Sequence, residues 1–181
     1  MRVRRVRIPK ERIAPAIGED GEVKEEIEDK MDVDLEYDSE SGMVMIKGEK
    51  GSPLNVIKAQ SVIKAVGRGF SPQKAYQLFD DENFLEILDV TDFSGNSEKA
   101  KRRLKGRVIG RNGRTRELIE EYTGTSLSIY GKTISCIGIS EDVEIAREAI
   151  EMLLNGTPHS AVYNFLENKR REEKKPLELW K

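Results

Sequence analysis

Apolar and polar residues recur along this chain in two rounds of one order. Val3-Arg4-Arg5-Val6-Arg7-Ile8 approximates strand alternation, and Phe84 to Val90 is its less regular counterpart. Helical spacing follows each, over Lys10 to Ile17 and over Ser97 to Ile109, with Ser97 standing where an N-cap belongs. Each of these helices runs into a glycine turn, and a second helix leaves it, marked in the later round by Leu118, Ile119 and Tyr122. Val33 to Tyr37 and Ser126 to Tyr130 then alternate as strands. Tyr130-Gly131-Lys132-Thr133 is a tight hairpin, where the first round has a longer link containing Gly42. Strands over Met43 to Lys47 and Thr133 to Ile137 follow, and amphipathic helices over Pro53 to Val66 and Asp142 to Leu154 close the rounds. The pattern predicts, twice, a three-stranded sheet covered on one face by helices.

The two rounds match residue by residue, which is the mark of an internal repeat. Ala16-Ile17-Gly18-Glu19-Asp20-Gly21 lies over Val108-Ile109-Gly110-Arg111-Asn112-Gly113. Ile27 lies over Ile119, Leu35 over Leu127, Gly48 over Gly138, and Val56, Ala59 and Ile63 over Val143, Ala146 and Ile150. Gly69-Phe70-Ser71-Pro72 and Gly156-Thr157-Pro158 each open one further helix. A chain of 181 residues suits two such small domains. The expected division is 1–80, 84–171 and a tail over 172–181, with the join at the acids of Asp80 to Asn83.

Charge separates the copies, although the whole chain carries a formal net charge of −2. Lys99, Lys101, Arg102, Arg103, Lys105, Arg107, Arg111, Arg114 and Arg116 fall in one stretch with no acid between Glu98 and Glu117. Within it Ile109-Gly110-Arg111-Asn112-Gly113-Arg114 is an I-G-x-x-G turn opening a helix. Unpaired N–H groups and the positive helix end favour an anion there, and glycine lets another backbone come close. The expected anion is a nucleic-acid phosphate. Arg111 and Arg114 add charge, and Asn112 tolerates a positive φ if the turn needs one. Arg116, where burial would be costly, is expected to face RNA or to pair with a carboxylate such as Glu120.

The order of elements and the I-G-x-x-G turn resemble a KH domain, here in tandem. Gly110 to Arg116, Tyr122-Thr123-Gly124, Ile129 to Thr133 and Gly156-Thr157-Pro158-His159 resemble the archaeal partner-of-Nob (Dim-type) proteins of small-subunit ribosome assembly. The related Krr-type assembly factors share much of the pattern. The resemblance implies an α+β fold of two type I KH domains (βααββα) with an extra helix after each. It implies a turn that clamps about four nucleotides of single-stranded RNA. Bases would then lie in a groove floored by Ile109 and Leu118 or Ile119, walled by Leu127 and Ile129, with Arg103 and Arg107 on the helix leading in. It further implies the 3′ region of small-subunit (16S) ribosomal RNA as target, with a Nob-type endonuclease and the alpha subunit of translation initiation factor two as partners.

The first copy has other chemistry. Its turn reads Gly18-Glu19-Asp20-Gly21-Glu22, and acids continue through Glu25, Glu26, Glu28 and Asp29. Two carboxylates at the mouth of a phosphate clamp oppose a polyanion, though acids also stabilise a helix start. This copy is expected to bind RNA poorly and to act as a spacer or as a dock for a basic protein. His159 is read as opening a helix after Pro158, and Cys136 as a reduced, buried strand residue. One His and one Cys build no zinc site. No nucleophile–base pair, Walker-type loop, membrane span or small-molecule site stands out, so the expectation is a cytoplasmic, non-enzymatic RNA binder without cofactor or metal. Two rivals remain: a general mRNA or exosome-associated KH protein, and a protein-interaction adaptor using the acidic first copy and the Trp180 tail as latch or partner segment.

Overall fold

In a computed structural model, which describes residues 1–49 and 51–178, the chain divides into two compact units, Met1–Leu85 and Glu86–Lys181. The first runs β1 (Arg2–Arg7), α1 (Ile13–Ile17), α2 (Glu22–Met31), β2 (Asp34–Asp38), β3 (Met43–Gly48), α3 (Pro53–Gly67) and a short α4 (Pro72–Ala75). The second, whose first strand begins three residues before that division, runs β4 (Asn83–Asp89), a single turn α5 (Thr91–Ser94), α6 (Glu98–Ile109), α7 (Arg114–Thr123), β5 (Ser126–Tyr130), β6 (Thr133–Ile139), α8 (Ser140–Leu154) and α9 (His159–Glu178). Sheet orders are β1-β3-β2 and β4-β6-β5, so the last strand of each sequence order lies in the middle. Antiparallel registers pair Val6 with Val44, Leu35 with Ile46 and Leu127 with Cys136.

Local chemistry sets the element ends. Ser52, Ser71 and Ser97 each cap a helix by accepting from a main-chain N–H two or three residues on, and Pro53 and Pro72 occupy first helical positions. Leu104 and Val108 of α6, Ile119 of α7, Leu127 of β5, Ile134 and Cys136 of β6, and Val143, Ala146, Ile150 and Leu153 of α8 form the second core. Val162 and Leu166 of α9 close it. In β6 every residue from Thr133 to Gly138 is buried. The stretch expected as a separate tail continues α9 as far as Glu178, and Trp180 lies outside the described residues.

One contact recurs in both units and explains part of the acidic sequence. Glu28 accepts from the Leu35 N–H at 2.8 Å, and Glu120 accepts from the Leu127 N–H at 2.8 Å. Each carboxylate satisfies a donor on a strand at the sheet's edge, where no neighbouring strand supplies an acceptor.

Candidate nucleic-acid interface

The turn between α6 and α7 is built from three residues with positive φ. Gly110 sits at φ 74, ψ 177, Asn112 at φ 54, ψ 28 and Gly113 at φ 74, ψ 11. The Gly113 N–H closes the bend on the Gly110 carbonyl at 3.3 Å. Asn112 does adopt the left-handed conformation, which Asn tolerates better than most side chains. The first unit repeats the geometry with Gly18 at φ 80, ψ 170, Asp20 at φ 52, ψ 21 and Gly21 at φ 82, ψ 12. The same bend therefore presents Arg and Asn in one unit and Glu and Asp in the other.

The two glycines of the second turn serve different ends. A Cβ on Gly110 would stand 2.1 Å from Thr115 Oγ1 and 2.8 Å from its main-chain nitrogen, so Gly110 is needed for packing inside the protein. A Cβ on Gly113 would meet nothing within 4 Å, so that face of the turn is open to a ligand. Thr115 is buried, and its hydroxyl shares a 2.8 Å hydrogen bond with Tyr163 Oη of α9, which braces the turn from behind. The first unit packs Gly18 against Val23 instead, with a Cβ reaching 2.6 Å from Val23 Cγ2.

The structure sorts the expected cations by what they already hold. Arg111 and Arg103 are exposed and have no ion-pair or hydrogen-bond partner among the described residues. Arg114 lies 3.7 Å from Glu117 in a pair largely open to water and so weakly bound, and Arg116 lies 3.8 Å from Glu120, whose side chain is mostly covered. Lys101 pairs with Glu98 at 2.5 Å, and Lys105 donates to the Gly131 carbonyl at 2.8 Å.

Arg107 departs from the expectation. Its guanidinium donates to the Leu153 carbonyl at 2.8 Å and the Thr157 carbonyl at 2.5 Å, tying the end of α8 to α6. Arg12 does the same in the first unit, on the Val66 and Phe70 carbonyls at 2.8 and 2.9 Å. Arg107 is thus a structural tie through its Nε and one Nη. Among the apolar candidates, Ile109 is 37% exposed, and Leu118 and Ile129 are half-buried at the surface. Leu127 is not available to a base: it is 3% exposed and packed in the core with Ile119, which is wholly buried. The strand alternation that marked Leu127 marks a core position, and of the apolar candidates Ile109, Leu118 and Ile129 are those that keep exposed surface.

Sequence reasoning missed Thr115, Tyr163 and the contact that His159 makes, although it did place His159 at the start of a helix. His159 opens α9 with its Nε2 2.9 Å from the Arg107 carbonyl, which it can reach as a donor. The sequence did carry a sign of Thr115, since it follows Gly110 at the interval by which Val23 follows Gly18. Nothing in the spacing signals Tyr163.

Among the described residues no group of His, Cys, Asp and Glu could hold a metal ion, and no helix is long and apolar enough to cross a membrane. The Cys136 thiol is pushed up to about 12 by burial, with the Glu86 charge adding to the shift, and it faces no ligand surface.

Residues 84–171 match the family of the second PNO1 domain, described as a eukaryotic type KH-domain (KH-domain type I). A KH domain-containing protein of Methanocaldococcus jannaschii is 45% identical over 179 residues, which cover 97% of this chain and 78% of that protein. The pre-rRNA-processing protein PNO1 of Coccidioides immitis is 31% identical over 110 residues, 60% of this chain and 43% of that protein. A solved chain in the a/eIF2alpha–aDim2p–rRNA complex from Pyrococcus horikoshii has 44% identity and a TM-score of 0.89, covering 94% of this chain and 95% of its own.

Proposed function

The chain belongs to the PNO1 (Dim2p) family of KH-domain proteins, and from that premise we propose a non-enzymatic protein that grips single-stranded RNA through its second unit. The RNA is the 3′ region of small-subunit (16S) ribosomal RNA during maturation, bound in the cytoplasm. Both units are type I KH domains in tandem, 1–80 with the acidic turn and 84–171 with the basic one, followed by the segment 172–181. The observation that carries the reading is the open face at Gly113 beside the guanidinium of Arg111, which has no partner among the described residues, at the start of α7. Phosphates lie against Gly113 and the first N–H groups of α7, with Arg111, Asn112, Arg114 and Arg116 around them. Bases rest on Ile109, Leu118 and Ile129. The solved relative that is named in complex with a/eIF2alpha and rRNA supports that factor's alpha subunit as a partner, and supports ribosomal over messenger RNA. A Nob-type endonuclease is the second partner we propose.

Filter binding with an oligonucleotide of the 16S 3′ end and its scrambled counterpart tests this. Wild type is expected to prefer the native sequence, and Gly113→Asp to lose it while keeping its circular dichroism. If three or four phosphates are neutralised, log K falls with log salt at a slope of roughly −2 to −3. Undiminished binding by a folded Gly113→Asp protein rejects the clamp. Equal binding of the scrambled RNA rejects the ribosomal target.

A further inference from the structure

Behind the turn lies a second recess. Arg103, Gly106, Arg107, Arg111, Arg114 and Tyr163 are among the residues framing an open cavity of about 500 Å³ between α6, the turn and the start of α9. No carboxylate lines it. We infer that this recess is an extension of the RNA site, taking the sugar–phosphate backbone of nucleotides that flank those held at the turn. The inference rests on the turn being an RNA clamp.

Three observations point to an RNA strand there. The first is charge that the fold does not consume: Arg103 and Arg111 have no partner among the described residues, and a guanidinium fork suits a phosphate's oxygens. The second is Gly106. It sits inside α6 with ordinary helical torsions, and a Cβ on it would meet nothing within 4 Å. Alanine would make a better helix at that position, so packing does not account for the glycine. What glycine does there is leave the helix backbone bare at the edge of a cationic hollow, where a bulky strand can come close.

The third observation is the repeat. With Gly18 laid on Gly110, the first unit has Glu11, Ala14, Glu19 and Glu22 where the second has Arg103, Gly106, Arg111 and Arg114. Turn geometry is common to both units, whereas these arginines and the bare glycine belong to the second. Arg111 and Arg114 stand in both the turn and the recess, so a strand leaving one enters the other without crossing a carboxylate. The Tyr163 ring lies along this path, although its hydroxyl is held by Thr115.

The test uses the full chain and two RNAs from the 16S 3′ end, a dodecanucleotide and the tetranucleotide at its centre. Gly106→Glu places a carboxylate in the recess at a helix position that tolerates it. It is expected to weaken the dodecanucleotide about tenfold and to make its salt slope shallower by about 0.7 for each phosphate lost. Tetranucleotide binding stays as in wild type, Gly106→Ala weakens the longer RNA less, and Gly113→Asp loses both. Should Gly106→Glu leave the dodecanucleotide unaffected while Gly113→Asp abolishes both, the recess is overturned and the clamp stands. Should Gly113→Asp spare both RNAs, the clamp itself is wrong. A measurement needing no variant keeps the question open to refutation: in wild type the dodecanucleotide's salt slope must be steeper than the tetranucleotide's, and equal slopes overturn the recess.

Discussion

Replacing Gly110 with alanine should damage the second unit far more than the same change at Gly113. At Gly110 the torsions, φ 74 and ψ 177, lie in a region essentially confined to glycine, which costs a side chain about 1–3 kcal/mol. The new methyl would also fall 2.1 Å from Thr115 Oγ1 and 2.6 Å from Thr115 Cβ. Thr115 cannot swing away freely, because it is 2% exposed and its hydroxyl is bonded to Tyr163. Breaking that bond adds about 0.5–1.5 kcal/mol, for a total of roughly 2–4 kcal/mol. Gly113, at φ 74 and ψ 11 with open space around it, faces only the left-handed penalty of about 1–2 kcal/mol. Native-state hydrogen exchange of the α7 amides reads the second unit by itself. Equal protection losses in the two variants, or no loss in Gly110→Ala, would refute the division of labour between the glycines.

Other outcomes follow from the same geometry. Glu19→Arg with Asp20→Asn, made in the Gly113→Asp background, should restore measurable RNA binding through the first turn, whose backbone already has the required torsions; a filter titration that stays flat rejects charge as the difference. Arg107→Met strands the Leu153 and Thr157 carbonyls and should lower the second unit's stability by about 1.5–3 kcal/mol in urea unfolding, while a loss of RNA affinity without that destabilisation would make Arg107 a ligand contact instead. The Cys136 thiol, raised from 9.0 to about 12, favours the folded state fully below pH 9, and that contribution disappears as pH climbs through 12. Native protein should therefore resist iodoacetamide at pH 8.5 and react once unfolded; rapid native labelling would contradict the burial.

Element order was legible because each strand and helix shows its own period, and because Ser97 sits where a cap belongs and Pro53 opens α3 at its first helical position. The positive φ of Asn112 was legible for a similar reason: few side chains other than Asn suit it. What escaped were contacts between residues distant in sequence. Alternation showed that Leu127 faces inward, but not whether inward meant groove or core. Arg107 read as one more cation on a basic helix, since its carbonyl partners lie on α8 and beyond it. Gly110 and Gly113 look alike in the motif, and only the position of Thr115 separates a packing glycine from one with open space around it. The acids of α2 read as a helix start or as a dock for a basic protein, yet Glu28 holds a strand.

Two bends cast from one backbone mould, one lined with cations and one with anions, give the molecule an internal contrast. A ligand that senses only main-chain shape meets two equivalent seats at Gly18–Gly21 and Gly110–Gly113. A ligand that senses charge meets one seat and one obstacle. A polyanion is thereby directed to a single end of a duplicated chain, and the duplicate remains free to face whatever carries the opposite sign.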